Sequence, residues 1–343
     1  MPVPWLIDTD PGIDDALALL LALACPEVSV EAITSVAGNV PVDLTTANVH
    51  RILSVGAPAA RLRVAQGAAA PLRGALVTAT DPHGDDGLGG ISRLRDVNGQ
   101  LLYPVPEALA APLDPAASGV IDGPDLILEM ADRFAGELVV VALGPLTNLA
   151  VALERDRSRL SRVGRIVIMG GAIAVPGNVT PSAEFNFHVD PEAAAAVFRS
   201  DLPLEVVPLD ATRQVMLRRA ALAVALARGR APVARFIEDF TKHGFAFGDR
   251  RGEGGVPLHD PLAVGVALDP SLVEFEPLHV EVEDRGRVTR GAAIADRRSI
   301  PAREKTAPNC RVAMAVSAGR FLDLFLDRVC LGGPARPHGP TAP

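Results

Sequence analysis

Two short runs of uninterrupted apolar residues constrain the fold of this chain more than any other feature. The segments Glu137–Leu143 (ELVVVAL) and Arg165–Met169 (RIVIM) are rich in β-branched residues and do not alternate between apolar and polar positions. A strand with one face in water alternates, whereas a strand covered by helices on both faces is apolar throughout. Both segments are therefore predicted to be central strands of a parallel sheet.

Predicted strands and helices alternate on both sides of these runs. This rhythm is typical of an α/β fold with an open, doubly wound, mostly parallel sheet, because parallel strands need crossover connections. The other predicted strands are Trp5–Ile7, Val28–Val36, Leu62–Ala65, Glu205–Leu209 and Arg311–Val316, and the predicted helices are Ala16–Ala24, Leu44–Val55, Leu146–Glu154, Pro191–Arg199 and Arg320–Val329.

Three segments depart from the alternation. Asp81–Gly119 is rich in Gly, Pro and Asp without a clear period, and a loop of that length in a compact domain is usually functional or disordered. Leu217–Asp249 has the pattern of two helices in tandem, joined near Arg230. Leu272–Glu283 and Arg287–Ala295 flank Asp284-Arg285-Gly286, which predicts a β-hairpin.

The composition sets the scale of the molecule. The chain has 343 residues, of which 48% are hydrophobic and 22% charged, so it can bury a sizeable core. No internal repeat or obvious linker divides it. We therefore expect one α/β domain over residues 1–331, followed by a Gly/Pro-rich tail at residues 332–343.

Charge and cysteine content exclude several classes of function. The net charge of −8 gives no basic footprint for a nucleic-acid polymer or an anionic membrane. Three scattered cysteines are too few for a disulfide framework and lack the CxxC spacing of a zinc ribbon. The N-terminus lacks the basic segment and the long apolar segment of a signal peptide. No apolar run approaches the roughly 20 residues that span a bilayer. We expect a soluble, cytoplasmic protein.

Four carboxylates lie within eight residues directly after the first predicted strand, in Asp8-Thr9-Asp10-Pro11-Gly12-Ile13-Asp14-Asp15. In open α/β sheets, ligands bind beyond the carboxyl ends of the strands. Two like charges 4 Å apart cost about 4 kcal/mol at an effective dielectric constant near 20, so the acids must share a cation, share a proton or splay apart. A helix cap explains one or two acids, whereas four favour a cation. Carboxylate ligands suit Ca²⁺ or Mg²⁺ rather than zinc.

Other polar residues follow predicted strands at the same edge of the sheet. Asn39 comes after the second strand, and the segment Gly177–Asn186 follows the strand that ends at Met169. This segment contains two Asn and one Glu, which suit the donors and acceptors of a sugar but also occur in ordinary turns. His259 and Asp260 open an apolar helix, where Asp260 is either a ligand or a simple N-cap.

These segments together resemble the inosine–uridine-preferring nucleoside hydrolase family. The motif DTDPGIDDALAL is the most specific, and five others recur in family order over most of the chain, from Trp5 to about Val329. They are VAGN at Val36–Asn39, HGDDGLGG at His83–Gly90, ALGPLTNLA at Ala142–Ala150, GNVTPSAEFNFHVDPEAA at Gly177–Ala194 and HDPLAV at His259–Val264. The resemblance implies a Rossmann-like core.

The resemblance also implies a Ca²⁺ ion at the bottom of the site. Its protein ligands would be the carboxylates of Asp10, Asp15 and Asp260 and the backbone carbonyl of Leu143. Substrate hydroxyls and one water would complete the coordination shell, and Asp8 would support the site from behind. The residues implied to bind the substrate are Asp14, Asn39, Asn178, Glu184, Asn186 and, through the metal, Asp260.

The implied reaction is hydrolysis of the N-glycosidic bond of a ribonucleoside, in nucleoside catabolism or salvage, to give ribose and a free base. Such hydrolysis passes through an oxocarbenium-like transition state. Asp10 would take a proton from metal-bound water, and an acid would protonate the departing base. His259 is the first candidate for that acid because imidazole titrates near neutral pH, and His83 is the second.

Other functions fit the sequence less well. A haloacid dehalogenase-type phosphotransferase also has Asp-x-Asp after a strand, but its motif needs Thr or Val where Gly12 stands. A nucleoside- or ribose-binding protein without turnover could use the same Asn and Asp groups, but it would need an export signal, which is missing, and would not need four clustered acids. A structural or interaction protein would need a tail, heptad or repeat that the sequence lacks.

The base preference and the oligomeric state are left open. Purine or pyrimidine choice depends on the shape given by Asp81–Gly90 and Phe240–Asp249. Only 4% of the residues are aromatic, and Phe185, Phe245 and Phe247 are the candidates for contact with the base. The family resemblance implies a homodimer or a homotetramer.

Overall fold

Strands and helices alternate along most of the chain, as predicted. The computed structural model describes residues 1–57, 62–106, 121–229, 231–301, 304 and 306–331. The first half contains β1 (Val3–Thr9), α1 (Ile13–Leu23), β2 (Val28–Ser35), α2 (Val42–Gly56), β3 (Arg63–Gln66), α3 (Thr80–His83), α4 (Gly123–Arg133), β4 (Val139–Ala142), α5 (Thr147–Leu160) and β5 (Arg165–Met169).

The second half continues the pattern with shorter elements between the main strands. It contains α6 (Phe185–Val189), α7 (Pro191–Phe198), β6 (Leu204–Val207), α8 (Leu209–Thr212), β7 (Met216–Leu217), α9 (Arg219–Leu226), α10 (Ala231–Arg251), β8 (Val256–Pro257), α11 (His259–Leu268), β9 (Val273–Leu278), β10 (Val280–Val282), β11 (Ala293–Ala295), β12 (Cys310–Val316) and α12 (Ala318–Phe325).

Eight strands form the central sheet in the order β3-β2-β1-β4-β5-β6-β12-β9. All neighbours pair in parallel except β9, which runs antiparallel to β12 at one edge. The order 3-2-1-4-5-6 of the first six strands is that of doubly wound, Rossmann-like sheets, which bind ligands where the strand order reverses. Here that point lies between β1 and β4. The predicted α/β fold class is confirmed.

The apolar runs pack on both faces of the sheet. Ile7 and Val141 contribute to one core with α1 and α11, while Leu6 and Val140 contribute to a second core with α4, α5 and α7. All four side chains are fully buried. Burial on both faces explains why these strands do not alternate in sequence. It also holds the ends of β1 and β4 rigidly beside each other.

The structure differs from the sequence prediction in three places. The predicted hairpin is present but shorter: β10 pairs with β11, while β9 joins the main sheet instead. Helix α4, capped by the Asp122 side chain, was not predicted. The segment predicted as a loop through Asn186 ends in a helix, because α6 already begins at Phe185.

Parts of two predictions fall outside the described residues. These are residues 107–119 of the predicted long loop and the predicted tail at residues 332–343. The single domain over residues 1–331 stays a prediction. Within the described part of the chain, no helix is both long enough and apolar enough to cross a membrane.

Candidate active site

The polar segments predicted to meet at the sheet edge do meet, at the point where the strand order reverses. They surround a cavity of about 690 Å³. Ten of the twelve predicted site residues line it, and Asp10 and Asp15 lie buried directly beneath. The ten are Asp14, Asn39, His83, Leu143, Asn178, Glu184, Phe185, Asn186, His259 and Asp260. The sequence therefore located the cavity correctly, although the role of each residue stays a prediction.

Four carboxylates form an acidic floor: Asp10, Asp14, Asp15 and Asp260. One oxygen from each of Asp14, Asp15 and Asp260 lies within 4.8 Å of the others. Burial raises the pKa of Asp14 to about 6. Burial first, and then the neighbouring carboxylates, raise the pKa values of Asp10 and Asp260 well above the usual range. The protein thus holds these acids where ionisation is unfavourable without a compensating charge.

A divalent cation fits this set of donors. Among the described residues, no Lys or Arg forms an ion pair with the acidic floor. His83 Nδ1 lies 3.9 Å from Asp14 Oδ1, but it accepts a hydrogen bond from the backbone N–H of Ile13 and so carries no proton there. Clustered carboxylates without a cationic side chain are the ligands of a hard metal such as Ca²⁺ or Mg²⁺.

Backbone and amide groups fix the floor in place. Asp10 accepts the backbone N–H of Asn39 at 2.7 Å, and the Asn39 side chain donates to Asp15 at 3.1 Å. Asp15 also accepts the Thr9 hydroxyl at 2.5 Å and the Gly12 N–H at 2.9 Å. These hydrogen bonds occupy some lone pairs of the carboxylate oxygens of Asp10 and Asp15. They also fix the directions of the lone pairs that remain free.

Asp8 lies behind the floor and is fully buried. Its Oδ1 accepts hydrogen bonds from Thr34 at 2.5 Å and Asn148 at 2.7 Å, while its Oδ2 has no hydrogen-bond partner among the described residues. Burial raises its pKa to about 6, against the opposing effect of these two donors. Asp8 therefore connects the floor to β2 and α5 without reaching the cavity.

The loop of residues 177–186 forms one side of the cavity. Glu184 caps α6 by accepting the N–H of Asn186 at 2.8 Å, and it also accepts the N–H of Gly171 at 2.9 Å. The Asn186 side chain donates to the carbonyls of Leu143 at 2.7 Å and Met169 at 3.1 Å. The loop is thereby fastened across the ends of β4 and β5.

Two imidazoles and one guanidinium form a donor wall beside the floor: His83, His259 and Arg213. Burial lowers the pKa of each histidine to about 4, and the positive charge of Arg213 adds to this effect at His259. In both rings Nδ1 is engaged, by the Ile13 N–H at 3.0 Å for His83 and by the Thr212 hydroxyl at 2.7 Å for His259. In each ring, Nε2 has no hydrogen-bond partner among the described residues.

Sequence reasoning missed the turn that follows β6. Asp210 accepts the N–H groups of Ile173 and Ala174, both at 2.8 Å. Arg213 lines the cavity and donates to the carbonyls of Pro176 and Gly177 at 2.8 and 2.9 Å. The available signal was the one used elsewhere, namely polar residues directly after a predicted strand.

The loop that carries His83 is fastened to α10. His243 Nε2 donates to the Asp81 carbonyl at 2.9 Å, and the Tyr103 hydroxyl donates to Asp239 at 2.8 Å. The Tyr103 ring packs edge-on against Phe236 at a centroid distance of 4.9 Å. Helix α10 therefore sets the position of this side of the cavity.

Two of the three predicted aromatic contacts reach the cavity. Phe185 and Phe247 line it. Phe245 instead lies in the core, with the Arg219 guanidinium 4.6 Å from its ring centroid. The prediction for Phe245 is therefore wrong, because the helical turn of α10 carries it to the opposite face from the cavity.

Comparison with known proteins gives one family. Residues 5–323 match the model of the inosine-uridine preferring nucleoside hydrolases. The pyrimidine-specific ribonucleoside hydrolase RihA of Salmonella gallinarum is 35% identical over 331 residues, which cover 96% of this chain and 99% of the relative. The RihA of Salmonella newport is 36% identical with the same coverage.

Solved structures agree with this result. The plant nucleoside hydrolase PpNRh1 superposes with a TM-score of 0.83 at 32% identity, covering 96% of this chain and 99% of the other. A purine-preferring ribonucleoside hydrolase from Gardnerella vaginalis gives a TM-score of 0.82 at 30% identity, with 95% and 98% covered.

Proposed function

This chain belongs to the inosine-uridine preferring nucleoside hydrolase family, and we propose that it cleaves the bond between ribose and base in ribonucleosides with a Ca²⁺ ion held at the acidic floor. The polarity of the cavity carries this proposal. The lining has two adjoining sides, the carboxylates of the acidic floor and the donor wall beside them. As the glycosidic bond breaks, the ribosyl group gains positive charge and the base gains negative charge, so the two sides stabilise opposite ends of the transition state.

The ion would be held by Asp10, Asp15 and Asp260 and by the Leu143 carbonyl. When bound, Ca²⁺ would lower the pKa of a coordinated water and orient the ribose hydroxyls. The cluster formed by single oxygens of Asp14, Asp15 and Asp260 supports a cation beside Asp15 and Asp260, and Asp10 lies buried directly beneath it. Ca²⁺ rather than Mg²⁺ is proposed because the ligand set mixes carboxylates with a backbone carbonyl.

Asp10 would accept a proton from the attacking water. Burial raises its pKa, which makes it a stronger base than an exposed carboxylate. Asp14, Asn39, Asn178, Glu184 and Asn186 would hold the ribose hydroxyls, since all five line the cavity next to the floor. His259, the first candidate for the acid, would donate its Nε2–H to the departing base as a hydrogen bond, with His83 as the second donor.

We expect pyrimidine ribonucleosides to be among the substrates. The 35% identity to RihA over 96% of the chain supports this expectation. The test is incubation of the protein with uridine, cytidine, inosine, adenosine and thymidine, followed by measurement of released sugar. Ribose should be released from at least one ribonucleoside, release should stop with a chelator, and Ca²⁺ should restore it better than Mg²⁺.

Failure to release sugar from any nucleoside at saturating Ca²⁺ would contradict the proposal. Calorimetric binding of a nucleoside without release would instead favour the binding protein considered above. Light scattering on the same preparation tests the predicted homodimer or homotetramer, and cell fractionation tests the predicted cytoplasmic location.

A further inference from the structure

The Thr212 hydroxyl is the partner of His259 on the side away from the cavity. Thr212 is fully buried at the end of α8, and its Oγ1 lies 2.7 Å from Nδ1 of His259. His259 lines the cavity, and its Nε2 has no hydrogen-bond partner among the described residues. The contact therefore fixes which ring nitrogen can face the substrate.

The direction of this hydrogen bond follows from the surroundings of Thr212. Within the described residues, His259 Nδ1 is the one acceptor within reach of the Thr212 hydroxyl. If Nδ1 carried a proton, it would donate to Oγ1, and the proton of the hydroxyl itself would be buried without an acceptor. Leaving a buried donor unsatisfied costs about 1–3 kcal/mol. The arrangement with Thr212 as donor is therefore favoured.

We propose that Thr212 is a positioning residue for the reaction: its hydroxyl donates to Nδ1 of His259 and so keeps the ring proton on Nε2, from which the neutral imidazole donates a hydrogen bond to the departing base. The proposal rests on the function proposed above. It assigns to Thr212 a role that neither the motifs of the sequence nor the comparisons supply.

The surrounding turn makes this contact rigid. Asp210 and Arg213, on either side of Thr212, bind the backbone at residues 173–177. The backbone N–H of Leu258, next to His259, donates to the Val215 carbonyl at 3.0 Å. The distance between Thr212 and His259 is therefore set from both ends, and the hydroxyl meets the ring without a flexible intermediate.

The test compares Thr212→Val, which removes the donor at constant shape, with Thr212→Ser, which keeps it. For uridine, Thr212→Val should lower kcat about 10-fold, with KM within about twofold, because only the hydrogen bond from His259 to the departing base is affected. An aryl riboside such as 4-nitrophenyl riboside leaves without protonation, so its rate should stay within about twofold of that of the unchanged protein. Thr212→Ser should restore the uridine rate.

Thr241→Val is the matched control. Thr241 is also a buried threonine, but its hydroxyl donates to the Ile237 carbonyl within α10 at 2.6 Å. It should leave both rates unchanged. Equal losses on uridine and on the aryl riboside in Thr212→Val, or a full uridine rate in that variant, would overturn the proposal.

A second readout does not depend on turnover. The ring ¹⁵N signals of His259, assigned by their loss in His259→Gln, report which nitrogen carries the proton. The unchanged protein and Thr212→Ser should show the proton on Nε2, and Thr212→Val should show a mixture. A proton on Nδ1 in the unchanged protein would overturn the role of Thr212. The expected tautomers with no cleavage of any ribonucleoside would instead overturn the proposed function and leave the positioning contact established.

Discussion

Two residues of the acidic floor, Asp10 and Asp15, combine two roles, because their carboxylates belong to the acid cluster and also accept hydrogen bonds from the backbone. Asp15, for example, has both oxygens engaged, by Thr9 and by Gly12 and Asn39. Asp10 is engaged mainly through one oxygen, by the N–H of Asn39. Its second oxygen is therefore the freer of the pair, which suits a residue that accepts a proton.

Asp10→Asn removes the carboxylate that is proposed to accept the proton from water, but it keeps the shape of the side chain. The amide oxygen can still accept the Asn39 N–H, so we expect the fold to persist. The rate constant kcat for uridine should fall by about 10²–10⁴, the usual contribution of a positioned acid or base. The rate of ribose release at saturating Ca²⁺ and saturating uridine measures kcat.

Asp132→Asn is the matched control for this change. Asp132 is half-buried and pairs with Arg159 and Arg162 outside the cavity. Its replacement should cost at most about 1 kcal/mol of stability and leave kcat unchanged. A near-normal rate in Asp10→Asn would refute its role as base.

At the scale of elements, the ends of the strands determine where the site lies. Glycines allow these strand ends to approach one another closely. Cβ atoms built on Gly38 and Gly144, which follow β2 and β4, would lie 2.0 and 2.5 Å from the carboxylate oxygens of Asp10. The ends of three neighbouring strands thus meet around one side chain. Any larger residue at either position would displace Asp10.

Gly144→Ala tests this approach. The backbone of Gly144 is not in the left-handed region, so the added methyl acts only through the space it needs. We expect a loss of about 1–3 kcal/mol in the free energy of unfolding, as for other overpacked sites, and a fall in kcat larger than this loss of stability explains. Urea unfolding and turnover on uridine measure the two effects.

Gly319→Ala provides the comparison. Gly319 lies in the first turn of α12 with nothing within 4 Å of a Cβ. This change should keep full activity and raise stability by at most about 1 kcal/mol, the helix preference of Ala over Gly. Full activity in Gly144→Ala as well would show that Asp10 can move without loss.

The elements also show what sequence reasoning can and cannot reach. The strands β1, β2, β4 and β5 were predictable because burial on both faces, or β-branched content, marks them directly. Residues at their carboxyl ends were predictable for the same reason. Helix α8 has four residues, too few to show a period, so Thr212 and Arg213 could not be placed beside His259 without the structure. Helix α6 was missed because it too is short.

At the scale of the whole molecule, the acidic floor opposes stability when no cation is bound. Burial raises the pKa values of its carboxyl groups in the folded state, to about 6 for Asp14 and well above the usual range for Asp10 and Asp260, where the neighbouring carboxylates add to the effect. Their contribution is fully present below the unfolded value near 4 and is lost as the pH rises through the folded values. The lowered pKa values of His83 and His259 act oppositely, so their contribution is lost as the pH falls below about 6.5.

Metal-free protein should therefore lose stability between pH 6 and pH 8, where the acidic floor ionises and the histidines no longer titrate. Bound Ca²⁺ neutralises the floor, so the increase in Tm on adding Ca²⁺ to chelator-treated protein should be larger at pH 8 than at pH 6. A hundredfold excess over Kd stabilises by about 2.7 kcal/mol. Thermal unfolding at both pH values tests this prediction, and an increment that shrinks with rising pH would contradict it.

The distribution of the floor along the chain has a consequence for synthesis. Asp10 and Asp15 leave the ribosome about 250 residues ahead of Asp260. At roughly 5–20 residues per second, this interval lasts roughly 12–50 s. Throughout it the nascent chain carries an incomplete acid cluster. Full affinity for the proposed cation, and with it the capacity to cleave nucleosides, should arise only after Asp260 has been synthesised.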